Sequence, residues 1–129
     1  VVYFGKQIIK MNYEQKTGRL TDSKGSIMGV GYSGNGQGKN NPLMQDVKNV
    51  GVIPRGKYMI GNPYDSPHTG AFTLPLIPDP TNKMFGRNEF KIHGDNISAP
   101  GTASQGCIIL PRIVRIAINN SSDKYINVI

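Results

Sequence analysis

The chain contains no tryptophan and one cysteine. Cys107 has no partner for an internal disulfide, so the core alone must hold the fold. A structural zinc needs four ligands, usually supplied as close cysteine or histidine pairs. With one cysteine, and with His68 and His93 far apart, no metal or other cofactor is expected. No apolar run reaches the length of a membrane span. Residues 1–10 read as strand and not as a secretion leader. The chain also lacks repeats, low-complexity tracts and any run of adjacent basic residues. Its net charge of +7 favours an anionic partner. The basic residues are spread from Lys6 to Lys124, however, with no RNP-like or zinc-finger pattern, so nucleic acid is not expected.

What the chain does have is turns. Sixteen glycines and nine prolines exclude a helix bundle and favour short strands. Apolar runs predict strands at residues 1–4, 7–13, 19–21, 27–32, 57–60, 71–77, 89–93 and 125–129. Pro75 places the 71–77 strand at a sheet edge. Residues 33–42 and 62–70 read as loops. The glycines of Gly34-Asn35-Gly36-Gln37-Gly38-Lys39 lack the spacing of a phosphate-binding loop and no helical pattern follows. Pro111 suits the first turn of a helix. Ile113, Val114, Ile116, Ala117 and Ile118 would supply its packing face. The expected architecture is one mostly-β domain over residues 1–129, a sandwich or mixed sheet with a single short helix after Cys107.

Chemistry concentrates between Lys91 and Leu110. His93 ends one apolar run and Cys107 begins another, each beside a glycine, Gly94 and Gly106. If the two runs are neighbouring strands, the imidazole lies beside the sulfur. A thiol is a useful nucleophile when a base takes its proton and backbone N–H groups hold the resulting oxyanion. Histidine is suited to that proton transfer, and an adjacent imidazolium favours the thiolate. The N-terminus of the following helix would add to this if aimed at the sulfur. Gly106 permits a tight turn and close approach of substrate, so the N–H groups of Gly106 and Cys107 are the candidate oxyanion donors. Ser104 would bond within the loop, or its carbonyl would orient the second imidazole nitrogen. Asp95 would shape the turn after His93. Each residue also has a plainer reading, a buried small cysteine and a satisfied histidine at a strand end.

The motifs Ile92-His93-Gly94-Asp95 and Ala103-Ser104-Gln105-Gly106-Cys107-Ile108 resemble the His-Gly … Ser-x-Gly-Cys signature of L,D-transpeptidases. The likeness is greatest to the compact branch of type VI secretion effectors. It extends to Tyr32-Ser33-Gly34, Lys39-Asn40-Asn41-Pro42, Val52-Ile53-Pro54-Arg55-Gly56-Lys57-Tyr58 and Gly86-Arg87-Asn88-Glu89-Phe90. The resemblance implies a cysteine enzyme that acts on peptidoglycan stem peptides in the periplasm of a target bacterium. Secretion machinery and an immunity protein would be its partners. It implies Cys107 as nucleophile, His93 as base, Gly106 and Cys107 as oxyanion donors and Ser104 as the motif serine; Gly94, free to turn the chain after His93, is a further candidate orienting residue. Arg87, with its carboxylate-matching fork, joins Asp95 and Gln105 as a candidate substrate contact. Gln105 stands where many larger members carry histidine, and Ile109 where many carry arginine. These departures favour hydrolysis or D-amino acid exchange over cross-linking. The competing expectations are a non-catalytic wall-binding or structural module of a phage or secretion particle, and a cysteine hydrolase acting on protein.

Overall fold

The computed structural model describes residues 10–129. The strand expected at residues 1–4, and residues 7–9 of the one expected at 7–13, lie outside the described residues. The described strands are β1 (Met11–Tyr13), β2 (Arg19–Thr21), β3 (Ile27–Val30), β4 (Tyr32–Ser33), β5 (Gly56–Ile60), β6 (Tyr64–Ser66), β7 (Gly70–Pro78), β8 (Lys91–His93), β9 (Ile108–Ile109) and β10 (Tyr125–Val128). One helix, α1 (Arg112–Asn120), follows β9. The fold is mostly β, as the turn-rich composition dictates.

The strands pair in the order β3-β2-β1-β10-β5-β7-β8-β9-β4, with β6 paired to β7. The sheet is mixed: β10 runs parallel to β1, β9 runs parallel to β8, and their other pairings are antiparallel. Residues 27–32, expected as one strand, divide between the two ends of this order. Gly31 is the single residue joining β3 to β4. A Cβ at Gly31 would run into the carbonyl of Ile109, while its own N–H donates to Gly18 O at 2.8 Å. The change of sheet end therefore requires a residue without a side chain.

Pro75 does not mark an edge. β7 lies inside the sheet, between β5 and β8. Its pairing with β6 covers Thr73 to Gly70, and its pairing with β5 begins at Leu76. Pro75 falls at the handover, where its carbonyl accepts from Gly61 N and no partner strand requires the missing N–H. Residues 64–66, expected as loop, pair with β7 because that strand extends past its apolar run to Gly70.

Tyr13, Leu20, Ile53, Tyr58, Leu74, Ile92, Ile108 and Ile126 form a buried core. Helix α1 caps it with Val114 and Ile118. The helix face differs from the expected one. Ile113, Ile116 and Ala117 point outward, and Arg115 turns inward with Val114 and Ile118. The helical period accounts for this, because positions 114, 115 and 118 share one face.

Candidate active site

The parallel pair β8–β9 brings the two candidate residues together. Ile92 pairs with Ile108 and His93 with Ile109. Counting back one step, Cys107 stands level with Lys91. Strand alternation then puts Lys91 and His93 on one face of β8. Cys107 and His93 both line a groove of about 850 Å³, whose walls come from residues 67–70, 94–98 and 102–103. Cys107 also lines a smaller recess of about 230 Å³ with Lys48, Asn49, Asn88 and Phe90. The thiol thus sits where two clefts meet.

His93 is buried, and its Nδ1 lies 2.8 Å from the Gly94 carbonyl. A carbonyl can only accept, so this bond fixes the proton on Nδ1 and leaves Nε2 free to take one. The Gly94 carbonyl fills the orienting role considered for that of Ser104. Burial holds the imidazole below its ordinary range. The Gly94 bond and Asp95 act in the opposite sense, and the charges of Arg115 and Lys91 reinforce the lowering. Burial pushes the Cys107 thiol upward, against the pull of the Lys91 backbone N–H and of the Lys91 and Arg87 charges. The thiol donates weakly to the Glu89 carbonyl, with Sγ 3.8 Å from the oxygen. Among the described residues, imidazole and thiol share the groove without a hydrogen bond to each other. Both shifts favour the uncharged forms, so the surroundings do not supply the imidazolium that would favour a thiolate. No residue of α1 lines either cleft around Cys107.

The Ser-Gln-Gly-Cys turn is built around Ser104. Its buried Oγ accepts from Gly34 N at 2.8 Å and from Gly106 N at 3.0 Å, and donates to Cys107 O at 2.6 Å. Gly106 N–H, expected to face an oxyanion, is thereby already bonded. The Cys107 N–H has no acceptor among the described residues and remains the donor at that point. Gly106 has φ +138°, and a Cβ there would lie 2.5 Å from Arg87 Nη2 and 2.8 Å from the Phe90 ring. Ser33 Oγ donates to Gly106 O at 2.8 Å and secures the turn from β4.

Arg87 is not available to a substrate carboxylate. Its buried guanidinium gives Nη1 to the carbonyls of Gln45 and Val52 and Nη2 to those of Gly51 and Gln105, at 2.6–3.1 Å. It joins the residue 45–53 loop to the Ser104–Cys107 turn. Asp95 is committed in the same way. It accepts from Tyr32 Oη at 2.6 Å and from the backbone N–H groups of Asn96 and Gly101. Slight burial raises its carboxyl, but these bonds outweigh that and hold it below the usual range. Tyr32, pushed up to about 12 by burial and by Asp95, also accepts from Ala103 N and ties the 95–103 loop to β4. Gln105 is exposed where both clefts meet.

One contributor escaped the sequence reading. The buried Arg115 donates to the carbonyls of Leu110, Ala71 and Phe72 and stands beside Gly94. It fixes the ends of β7 and β9 around His93 and biases the imidazole toward its neutral form. Helical spacing with Val114 and Ile118 was the available signal.

Residues 25–125 match the family model of the Tlde1 domain, which covers both the His93 and the Cys107 motifs and most of the chain. The chain belongs to this family of type VI secretion L,D-transpeptidase effectors. A comparison with curated proteins gave no match. Tlde1 membership implies a peptidoglycan-modifying effector, and no described helix is long and apolar enough to cross a membrane.

Proposed function

We propose that this Tlde1 domain is a cysteine acyltransferase that cleaves the bond between the third residue and the terminal D-alanine of tetrapeptide stems. The observation carrying this reading is the shared groove: a lone thiol and an imidazole with its accepting nitrogen free both open onto it. As substrate binds, Nε2 of His93 takes the thiol proton and Sγ attacks the carbonyl carbon of the third residue. The Cys107 N–H faces the oxyanion. Collapse of the intermediate breaks the C–N bond, and His93 returns the proton to the departing amine. Water, activated by the same imidazole, then releases the acid; a D-amino acid amine in its place gives exchange. Hydrolysis and exchange therefore share one acyl-enzyme. The net charge of +7 favours residence near the anionic wall of a target cell, where the effector would act in the periplasm.

Incubation of the purified protein with defined tetrapeptide muropeptides tests this by mass spectrometry. The expected result is loss of D-alanine, absent in Cys107→Ala, and incorporation of an added D-amino acid. Binding without turnover by the parent protein would favour a wall-binding module. Thiol-dependent cleavage of polypeptide alone would favour a protein hydrolase.

A further inference from the structure

The proposed reaction gives the two clefts different occupants. The departing amine must receive its proton from His93, which lines the larger groove and not the smaller recess. The leaving amino acid therefore lies in the larger groove, and the acyl portion reaches toward the recess. A terminal amino acid brings a carboxylate into the groove within a residue's length of the reacting carbon. That carboxylate needs a cation.

The basic side chains near the site can be sorted by what they already hold. Arg87 and Arg115 each donate to several backbone carbonyls. Lys39 lies over the Tyr32 ring, 4.5 Å from its centroid. Lys48 lines the recess on the other side of Cys107. Lys91 is the one lysine or arginine lining the larger groove among the described residues. It stands level with Cys107 and on the His93 face of β8. Its side chain is 22% exposed, and its partner is Glu89, at a long 3.8 Å and with that carboxylate 79% exposed. An open pair of this kind holds its members weakly, so donors of the ammonium remain for another carboxylate.

We propose that Lys91 holds the terminal carboxylate of the amino acid that leaves Cys107, and of the D-amino acid that replaces it in exchange. This rests on the cleavage reading above and adds a specificity residue to it. Lys91 acts as a point charge: it selects stems that end in a free acid and sets the leaving amine beside His93. Glu89 is the competitor that the incoming carboxylate displaces. Lys91 also bears electrostatically on both catalytic groups, which places its charge within reach of the reacting atoms.

Two measurements test this. The first compares kcat/KM for a tetrapeptide stem and for the same stem with its terminal carboxylate amidated, in the parent, Lys91→Met and Lys91→Arg. Changes in thiol reactivity or folding affect both substrates and cancel in the ratio. The parent should prefer the free acid, Lys91→Met should lower that preference about tenfold or more, and Lys91→Arg should keep most of it. The second needs no stem. Cys107 is the only thiol, so alkylation reports on it alone. Iodoacetate and iodoacetamide undergo the same displacement of iodide by the thiolate and differ in the carboxylate. The iodoacetate-to-iodoacetamide rate ratio should fall several-fold in Lys91→Met. An unchanged acid preference together with an unchanged alkylation ratio overturns the proposal. If the parent cleaves neither stem, the cleavage reading fails, and the alkylation ratio alone decides whether Lys91 draws a carboxylate to the thiol.

Discussion

At the scale of single residues, the proposed site pairs two groups whose surroundings favour their uncharged forms. Burial drives His93 down and Cys107 up, so neither ionises spontaneously near neutrality. The imidazole must be unprotonated to act. The acid limb of the kcat/KM profile should therefore fall below the ordinary histidine value of 6.5. Alkylation of Cys107 by iodoacetamide should rise with pH along a curve displaced above that of a free thiol. An acid limb above 6.5, or a thiolate already formed at neutral pH, would contradict this arrangement. The same shift has a sign for stability. Because His93 binds its proton more weakly when folded, its contribution is complete above the unfolded value. It is lost as pH falls through the depressed folded value. His93→Gln keeps a polar group of similar size and should lower kcat/KM by about 10²–10⁴-fold while removing this dependence.

At the scale of elements, the catalytic turn depends on partners distant in sequence. Ser104→Ala removes the acceptor of two buried N–H groups and the donor to Cys107 O. It should cost about 2–4 kcal/mol in chemical denaturation, because buried donors are left unmet. Gly106→Ala should be at least as damaging, since its Cβ would press on Arg87 and Phe90 from a backbone geometry that other residues rarely adopt. Much of this was legible in the sequence. His93 and Cys107 stood out because each interrupts an apolar run beside a glycine, and the family motifs agreed. The strands around them followed from alternation and turns, and the helix followed from Pro111 and the apolar positions after it. The part Asp95 plays in shaping the turn after His93 was legible, and the bonds from Asn96 and Gly101 N–H agree with it; the role of Arg87 was not legible. A guanidinium reads as a substrate clamp until the carbonyls around it are known, and those of Arg87 come from positions 18 to 42 residues away. Pro75 misled for a similar reason. A proline forbids a partner on one side at one position, and the handover from β6 to β5 meets that condition inside the sheet.

At the scale of the whole molecule, the two ends of the strand order meet in sequence at Gly31. Gly31→Ala should lower the unfolding temperature substantially and weaken catalysis, because the residue touches the Ile109 backbone next to the His93 strand. Thermal unfolding followed by circular dichroism, with muropeptide turnover on the same sample, checks both effects. An alanine tolerated without loss would mean that the crossing adjusts more easily than the packing implies.

The Arg87 clamp bears on how the proposed cleavage would choose among stems. Four backbone oxygens from two separate stretches of chain converge on one buried cation, so the floor of the smaller recess is anchored before any stem arrives. A recess built in this way admits or refuses a side chain by its standing contour. On the cleavage proposed above, stems whose third residue did not match that contour would be turned away at the door.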